Sequence, residues 1–178
     1  MIIGASFIDG DTVVGQGGQH VKFSCKIQDK IGVDSYAIGG RGGDAITSSS
    51  FQYLQKEVAL FCPKYLTPYF GTNYNDVDTY VSNFEAFTTW LVKIGVEPIL
   101  ITISPVVDNP TKNARILQQN EWVRNSGFRY VDVYKAVTDG NGDWIEGYVL
   151  ADGVHPTAAG HQAIYEAFVR EVPELFAV

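Results

Sequence analysis

The chain has few of the residues that build metal sites and disulfide frameworks. Among its 178 residues are only two cysteines and three histidines. Cys25 and Cys62 stand far apart and give neither a zinc-binding spacing nor a set of cysteine pairs, although they leave a single disulfide open. We interpret both as small buried apolar residues. His20, His155 and His161 show no ligand spacing, so we expect neither a metal ion nor a cofactor.

Long apolar runs and an excess of positive charge are also lacking. No run reaches the length of a membrane-spanning helix, and the formal charge of -7 argues against nucleic acid or an anionic membrane as partner. No signal peptide is visible. The chain begins inside its first predicted strand, which suggests a domain of a longer protein or a mature chain. The localisation of the protein stays open. If the chain is a domain of a larger protein, an extracellular, virion-associated or surface-associated location is compatible with the sequence.

The sequence does contain strand and helix patterns that alternate over its whole length. Strands are predicted at residues 1–3, 33–38, 65–70, 99–103 and 130–133. Helices are predicted at residues 21–31, 44–61 with Asp44 as N-cap, 76–94, 113–123 and 157–171. This alternation indicates a parallel sheet covered on both faces. We therefore predict one domain over residues 1–178, a five-stranded α/β protein with three α/β/α layers.

Residues able to carry chemistry follow the first three predicted strands. In such sheets the ligand crevice lies at the carboxyl ends of the strands. Ser6 follows the first strand, a glycine-rich stretch at residues 39–43 follows the second, and Asn73 follows the third. Taken singly, each is equally typical of a turn or a helix cap. A flavodoxin-like or nucleotide-binding domain that uses the glycines is an alternative, although no Gly-Lys-Ser/Thr element accompanies them.

A carboxylate and an imidazole stand close together near the C-terminus, in the sequence Asp152-Gly153-Val154-His155-Pro156. Pro156 disfavours a helical conformation at His155 and suits the start of the helix that follows. The pattern predicts an Asp and a His on one tight loop at a helix entrance. Such a pair suits a general base oriented by a carboxylate, which needs a nucleophile elsewhere in the chain. By itself, this spacing is often a surface turn.

In this order, the four sites together resemble the SGNH (GDSL-like) hydrolase family. The resemblance implies a flavodoxin-like fold and a carboxylic ester hydrolase that needs no cofactor. It implies that Ser6 is the nucleophile and His155 the base, oriented by Asp152. Its oxyanion hole would consist of the backbone N–H groups of Ser6 and Gly43 and the side-chain amide of Asn73.

The chain departs from the family pattern in one visible place. It reads Gly4-Ala5-Ser6 where the family usually has Gly-Asp-Ser. The missing carboxylate is not one of the reacting groups. We therefore expect a change in the hydrogen bonding of the turn and not a loss of catalysis.

The expected substrate is a short acyl ester, an acetylated carbohydrate above all. Tyr74, Trp144 and Tyr148 are expected at the same edge of the sheet, where their rings would contact the sugar, unless they pack in the core. No lid insertion is visible, which argues against long-chain lipids. A short-chain lipolytic esterase and a non-catalytic carbohydrate- or partner-binding module of the same fold remain as alternatives. The sequence does not predict an oligomeric state.

Overall fold

The computed structural model describes residues 1–9, 18–32, 37–40, 43 and 45–176. Its sheet has the strand order β2-β1-β3-β4-β5, and each neighbouring pair is parallel. The strands are β1 (Ile2–Gly4), β2 (Ile38–Gly40), β3 (Tyr65–Tyr69), β4 (Glu97–Ile101) and β5 (Arg129–Val131). The predicted five-stranded parallel sheet is confirmed. Its order reverses between β1 and β3, which is where an open sheet of this kind forms a ligand crevice.

The helices lie on both faces of this sheet. They are α1 (Ser6–Asp9), α2 (Phe23–Ile31), α3 (Ser48–Phe61), α4 (Val77–Lys93), α5 (Pro110–Asn125), α6 (Val133–Val137) and α7 (Ala158–Glu171), with short 3-10 helices at Gln19–Val21 and Pro173–Phe176. Helices α3, α4 and α5 contribute to one hydrophobic cluster. Helices α2, α6 and α7 contribute to the other. The predicted three layers are therefore confirmed.

Side chains of the strands alternate between the two hydrophobic clusters. Ile2 belongs to one cluster and Ile3 to the other, and Leu100 faces away from Ile99 and Ile101. All five side chains are at most 2% exposed. Burial of each such side chain stabilises the fold by about 1.5–3 kcal/mol. A shift of one residue in strand register would exchange the two faces, so the apolar runs fix the register.

The third helix begins later than its sequence pattern predicts. Thr47, and not Asp44, is its N-cap. The Thr47 side chain accepts a hydrogen bond from the backbone N–H of Ser50, while the Ser50 hydroxyl accepts one from the backbone N–H of Thr47. This reciprocal pair is a capping box. Asp44 itself and residues 33–36 of the predicted second strand lie outside the described residues.

The two cysteines differ from the sequence expectation. Both are free, with Cys25 partly buried and Cys62 exposed. Cys62 is the C-cap of α3 and has a φ of 44°. At this exposed position its thiol donates to the carbonyl of Ala59 at 3.2 Å. The expectation of burial was therefore wrong for Cys62.

Several large apolar side chains are exposed at the edge of the sheet opposite to the crevice. They lie where α3 and α4 end, just before β3 and β4 begin: Leu60, Phe61, Val92 and Ile94. The carboxyl ends of the strands lie at the other edge. Over the described part of the chain, no helix has both the length and the apolar character needed to span a membrane.

Candidate active site

Ser6 follows the sharp turn that connects β1 to α1. A side chain on Gly4 would place its Cβ 2.7 Å from the carbonyl oxygen of Tyr69 and against Ile8, so glycine is required there. The next residue, Ala5, donates its backbone N–H to the same Tyr69 oxygen at 3.3 Å. The turn presents Ser6 at the carboxyl edge of the sheet. Because Ser6 is the first residue of α1, its backbone N–H has no partner within that helix.

The loop of Asp152 and His155 is fixed by its own backbone. Asp152 Oδ1 accepts hydrogen bonds from the backbone N–H groups of Val154 at 2.9 Å and His155 at 3.0 Å. Gly153 has a φ of 71°, and a Cβ there would lie 2.9 Å from the side chain of Val107. The Gly153 carbonyl also accepts a hydrogen bond from the Val107 N–H at 2.8 Å. The loop is thus held in a single shape against the segment that follows β4.

Ser6, His155 and Asp152 form one continuous chain of hydrogen bonds. His155 Nε2 lies 2.7 Å from Ser6 Oγ, although 149 positions separate the two residues. His155 Nδ1 lies 2.7 Å from Asp152 Oδ2. The carboxylate requires a proton on Nδ1, so Nε2 carries no proton and can accept that of the serine hydroxyl. This arrangement can activate the hydroxyl as a nucleophile.

The carboxyl group of Asp152 is held in its ionised form. Burial alone would raise its pKa, but the backbone N–H groups of His155 and Val154, together with the imidazole, outweigh this effect and lower the pKa below its usual value. A carboxylate in this position keeps the imidazole in the required tautomer. A carboxylate placed in this way can also stabilise an imidazolium when a histidine takes up a proton.

A cavity of about 300 Å³ opens directly in front of these groups. Its wall contains Ser6 and His155 together with Gly43 and Asn73. The structure thus brings all the residues that were expected around the oxyanion to one place. Asn73 is exposed in the turn after β3. Residues 41 and 42 of the glycine-rich stretch lie outside the described residues.

Two of the three aromatic residues expected to bind the substrate lie in the core instead. Tyr74 is 5% exposed. Its hydroxyl donates to the carbonyl of Ile46 at 2.7 Å, and its ring meets that of Tyr80 edge-on. Trp144 is 9% exposed, and its Nε1 donates to the carbonyl of Pro105 at 2.8 Å. The structure favours the alternative of core packing for Tyr74 and Trp144, because their polar atoms find backbone partners inside the fold while their rings fill it.

Tyr148 is partly buried against the cluster that also contains Trp144. Its carbonyl accepts a hydrogen bond from the backbone N–H of Thr157 at 2.9 Å, which ties the loop to the entrance of α7. Among the described residues of the cavity wall, Tyr148 is not present. The structure therefore gives Tyr148 a packing role and no contact with the cavity.

Sequence analysis missed two polar residues of the wall, Thr72 and Lys112. Lys112 lies in the first turn of α5, where its backbone N–H donates to the Asn109 side chain at 3.0 Å. Thr72 lies beside Asn73 in the third strand-to-helix junction, and Lys112 follows the fourth junction, after β4, which obeys the same rule as the first three. The residues of the fourth junction carry no glycine or motif that marks a site, so only the fold identifies them.

His161 is fully buried and does not belong to the cavity. Its ring stacks on Phe23, and its Nδ1 accepts the Phe23 backbone N–H at 3.5 Å. Burial lowers its pKa to about 3, and the positive charge of nearby Lys22 lowers it further. The imidazole is therefore neutral and acts as a packing group. Over the described residues, no cluster of three or more His, Cys, Asp or Glu side chains could hold a metal ion.

Comparison with known families identifies the group of proteins to which this site belongs. The model of the GDSL-like lipase/acylhydrolase family matches residues 2–163, which include all five strands, Ser6, Asp152 and His155. The chain belongs to this family. The GDSL-like family consists of acylhydrolases, so the expectation of a carboxylic ester hydrolase is confirmed at the level of the family. No curated protein matches the chain significantly.

Solved structures of GDSL-like and other hydrolases share the fold. A member of the lipolytic G-D-S-L family from Veillonella parvula is 14% identical, with a TM-score of 0.77 over 95% of this chain and 94% of its own. An α/β hydrolase enzyme from the metagenome of Lake Arreo is 19% identical, with a TM-score of 0.77 over 98% and 94%. A catalytic mutant of an acetylxylan esterase from Geobacillus stearothermophilus is 18% identical, with a TM-score of 0.74 over 96% and 92%. At these identities the likeness establishes the fold.

The residue before the serine differs from the G-D-S-L pattern that names the family. Ala5 is 6% exposed and lies in both the core cluster and the cavity wall. A carboxylate would be largely desolvated at this position, whereas the methyl group of Ala5 needs no partner. The turn keeps its hydrogen bond from the Ala5 backbone to Tyr69.

Proposed function

We propose that this member of the GDSL-like family is a serine esterase that removes short acyl groups, acetyl above all, from carbohydrates. The observation that carries the proposal is the contact of 2.7 Å between Ser6 Oγ and His155 Nε2, with Asp152 on the other ring nitrogen. The family supplies the reaction class. The geometry supports Ser6, His155 and Asp152 as its nucleophile, base and orienting carboxylate.

The first half of the proposed reaction transfers the acyl group to the enzyme. Ser6 Oγ attacks the ester carbonyl carbon while His155 Nε2 takes up the serine proton, and Asp152 stabilises the imidazolium. The negative charge that develops on the carbonyl oxygen faces the backbone N–H groups of Ser6 and Gly43 and the amide of Asn73. Each such donor contributes about 100- to 1000-fold to turnover. The bond to the alcohol then breaks, His155 protonates the departing oxygen, and Ser6 carries the acyl group.

The second half of the reaction releases the acid. A water molecule attacks the acyl carbonyl while His155 accepts its proton, and the same donors stabilise the second oxyanion. The bond between the acyl carbon and Ser6 Oγ breaks, and Ser6 Oγ takes the proton back from His155. The enzyme returns to its starting state, and the net reaction is ester plus water to acid plus alcohol.

The preference for a short acyl group follows from the size of the cavity. Its volume of about 300 Å³ stands at the lower end of the range for small-molecule sites. The exposed apolar side chains at the ends of α3 and α4 lie at the opposite edge of the sheet, where they cannot contact an acyl chain bound at Ser6. Both observations favour acetyl over long-chain esters.

The carbohydrate part of the proposal is supported by the polar wall of the cavity and by the similarity of the fold to that of an acetylxylan esterase. Thr72, Asn73 and Lys112 line the cavity and could form hydrogen bonds with sugar hydroxyl groups. The fold is shared with the acetylxylan esterase of Geobacillus stearothermophilus. With Tyr74 and Trp144 in the core, no support comes from aromatic stacking on the sugar.

The test is hydrolysis of acetylated xylan and of a series of p-nitrophenyl esters from acetyl to dodecanoyl. The proposal predicts acetate release from the xylan, the highest kcat/KM for the acetyl ester, and loss of all activity in Ser6→Ala. Ser82→Ala serves as the matched control, because Ser82 is exposed on α4. Full activity in Ser6→Ala would contradict the proposed mechanism. Preference for dodecanoyl esters would replace the carbohydrate substrate with a lipid.

A further inference from the structure

The cavity contains a cation that the esterase reaction does not use. Lys112 lies in the same wall as Ser6, Asn73 and His155, and among the described residues of that wall it is the one lysine or arginine. Its side chain is partly buried. Within the described chain, Lys112 takes part in no ion pair. The formal net charge of the chain is -7, so the positive charge of Lys112 is opposite in sign to the net charge of the protein.

The fold attaches the segment of Lys112 to the catalytic loop. The Asn113 side chain bonds both the N–H and the carbonyl of Val106, each at 2.8 Å. The neighbouring Val107 donates its N–H to the carbonyl of Gly153, between Asp152 and His155, at 2.8 Å. The ammonium group of Lys112 is therefore carried by a segment whose position relative to the reacting groups is fixed.

A second cation accompanies Lys112 on the same face of α5. Arg115 follows three positions later, a spacing at which helical side chains are neighbours. Burial lowers the pKa of Lys112, and the charge of Arg115 lowers it further. The pKa of Asp76 is lowered mainly by hydrogen bonds from Thr79 and also by the positive charge of Arg115. Arg115 therefore interacts electrostatically with Asp76, and a further anion beside Lys112 would offset the repulsion that Lys112 experiences from Arg115.

We propose that Lys112 binds a carboxylate on the alcohol part of the ester, so that the preferred substrates are acetylated acidic sugars. This inference rests on the proposed esterase function and names the substrate class of the same site. The acetyl group carries no charge, and it must face the oxyanion donors. A charge that reaches Lys112 therefore belongs to the sugar. A lysine ammonium suits this task because it is a compact point charge on a flexible stem.

The test compares two substrates that differ in a single group: acetylated methyl glucuronoside and acetylated methyl glucoside. Acetate release gives kcat/KM for each. We expect the wild type to prefer the glucuronoside by about three- to tenfold, the range of a partly exposed ion pair with hydrogen bonding. Lys112→Gln should bring the ratio close to one, Lys112→Glu should invert it, and Lys112→Arg should retain most of it. High salt should reduce the preference.

Lys93→Gln is the matched control, since Lys93 is exposed at the end of α4, far from the cavity. It should leave the ratio unchanged. Equal rates of the wild type on the two sugars, or an unchanged ratio in Lys112→Gln, would overturn this inference alone if p-nitrophenyl acetate is still hydrolysed. Failure of the wild type to hydrolyse any ester would overturn the proposed function, and this inference with it. Should Lys112→Gln fail to fold, loss of the ratio in Lys112→Arg would overturn the inference and its retention would support it.

Discussion

Replacement of His161 by asparagine should make the stability of the protein less sensitive to acid. His161 is fully buried, and burial lowers its pKa from the ordinary 6.5 to about 3. Between these two values the unfolded chain takes up a proton at this residue and the folded protein does not. Falling pH therefore favours unfolding: the contribution is fully present above the unfolded pKa and is lost as the pH falls towards the folded one.

The size of this effect follows from the shift of the pKa. Each pH unit below the unfolded value removes about 1.4 kcal/mol from the free energy of unfolding. Between about pH 8 and about pH 5, His161 alone should therefore remove about 2 kcal/mol. That amount is a substantial part of the total stability of a typical domain, which is about 5–15 kcal/mol.

Urea unfolding at several pH values measures this contribution. Asparagine places Oδ1 near the position of His161 Nδ1, so it can still accept the backbone N–H of Phe23, but it does not titrate. The difference in free energy of unfolding between wild type and His161→Asn should change by about 2 kcal/mol from about pH 8 to about pH 5. His20→Asn is the control, because His20 is exposed. Parallel pH dependence of wild type and His161→Asn would refute the reasoning.

Three further substitutions test the site and its support. Asn73→Ala should lower kcat by about 100- to 1000-fold on p-nitrophenyl acetate with little change in stability, because the side chain is exposed and is the proposed oxyanion donor; an unchanged kcat would contradict that role. Asp152→Asn should lower kcat by about 10³- to 10⁴-fold, since the imidazole loses its orienting charge, and near-normal turnover would show that the carboxylate is dispensable. Asn120→Leu should reduce the free energy of unfolding by about 2–4 kcal/mol in urea, because it leaves the buried N–H and carbonyl of Ile103 without their partner. A loss below about 1 kcal/mol would show that these groups find other partners.

The parts of the fold and site that sequence predicted well are those determined by local chemistry. The run Ile99–Ile101 is apolar at every position because β4 is buried on both faces, and this pattern is visible without any tertiary information. The loop of Asp152 and His155 is likewise local: Gly153 supplies the positive φ, and Asp152 accepts the backbone N–H groups of Val154 and His155.

The parts that sequence reasoning missed depend on contacts between distant segments. Tyr74 is adjacent to Asn73, yet the turn directs Asn73 to the surface and Tyr74 to the carbonyl of Ile46 in the core. Sequence alone does not show which of two such neighbouring residues faces the surface and which the core. Lys112 lies at the cavity because Asn113 fixes the start of α5 on Val106, and the next residue, Val107, bonds to Gly153 of the catalytic loop. No spacing along the chain encodes that position.

Covalent labelling of Ser6 tests the central claim most directly. The folded wild type is incubated with a serine-reactive fluorophosphonate, and the site of modification is mapped by peptide mass spectrometry. The account predicts one adduct, on Ser6, with labelling abolished in Ser6→Ala, greatly slowed in His155→Ala and unchanged in Ser82→Ala. A folded wild type that remains unlabelled, or an adduct on a different serine that persists in Ser6→Ala, would contradict it.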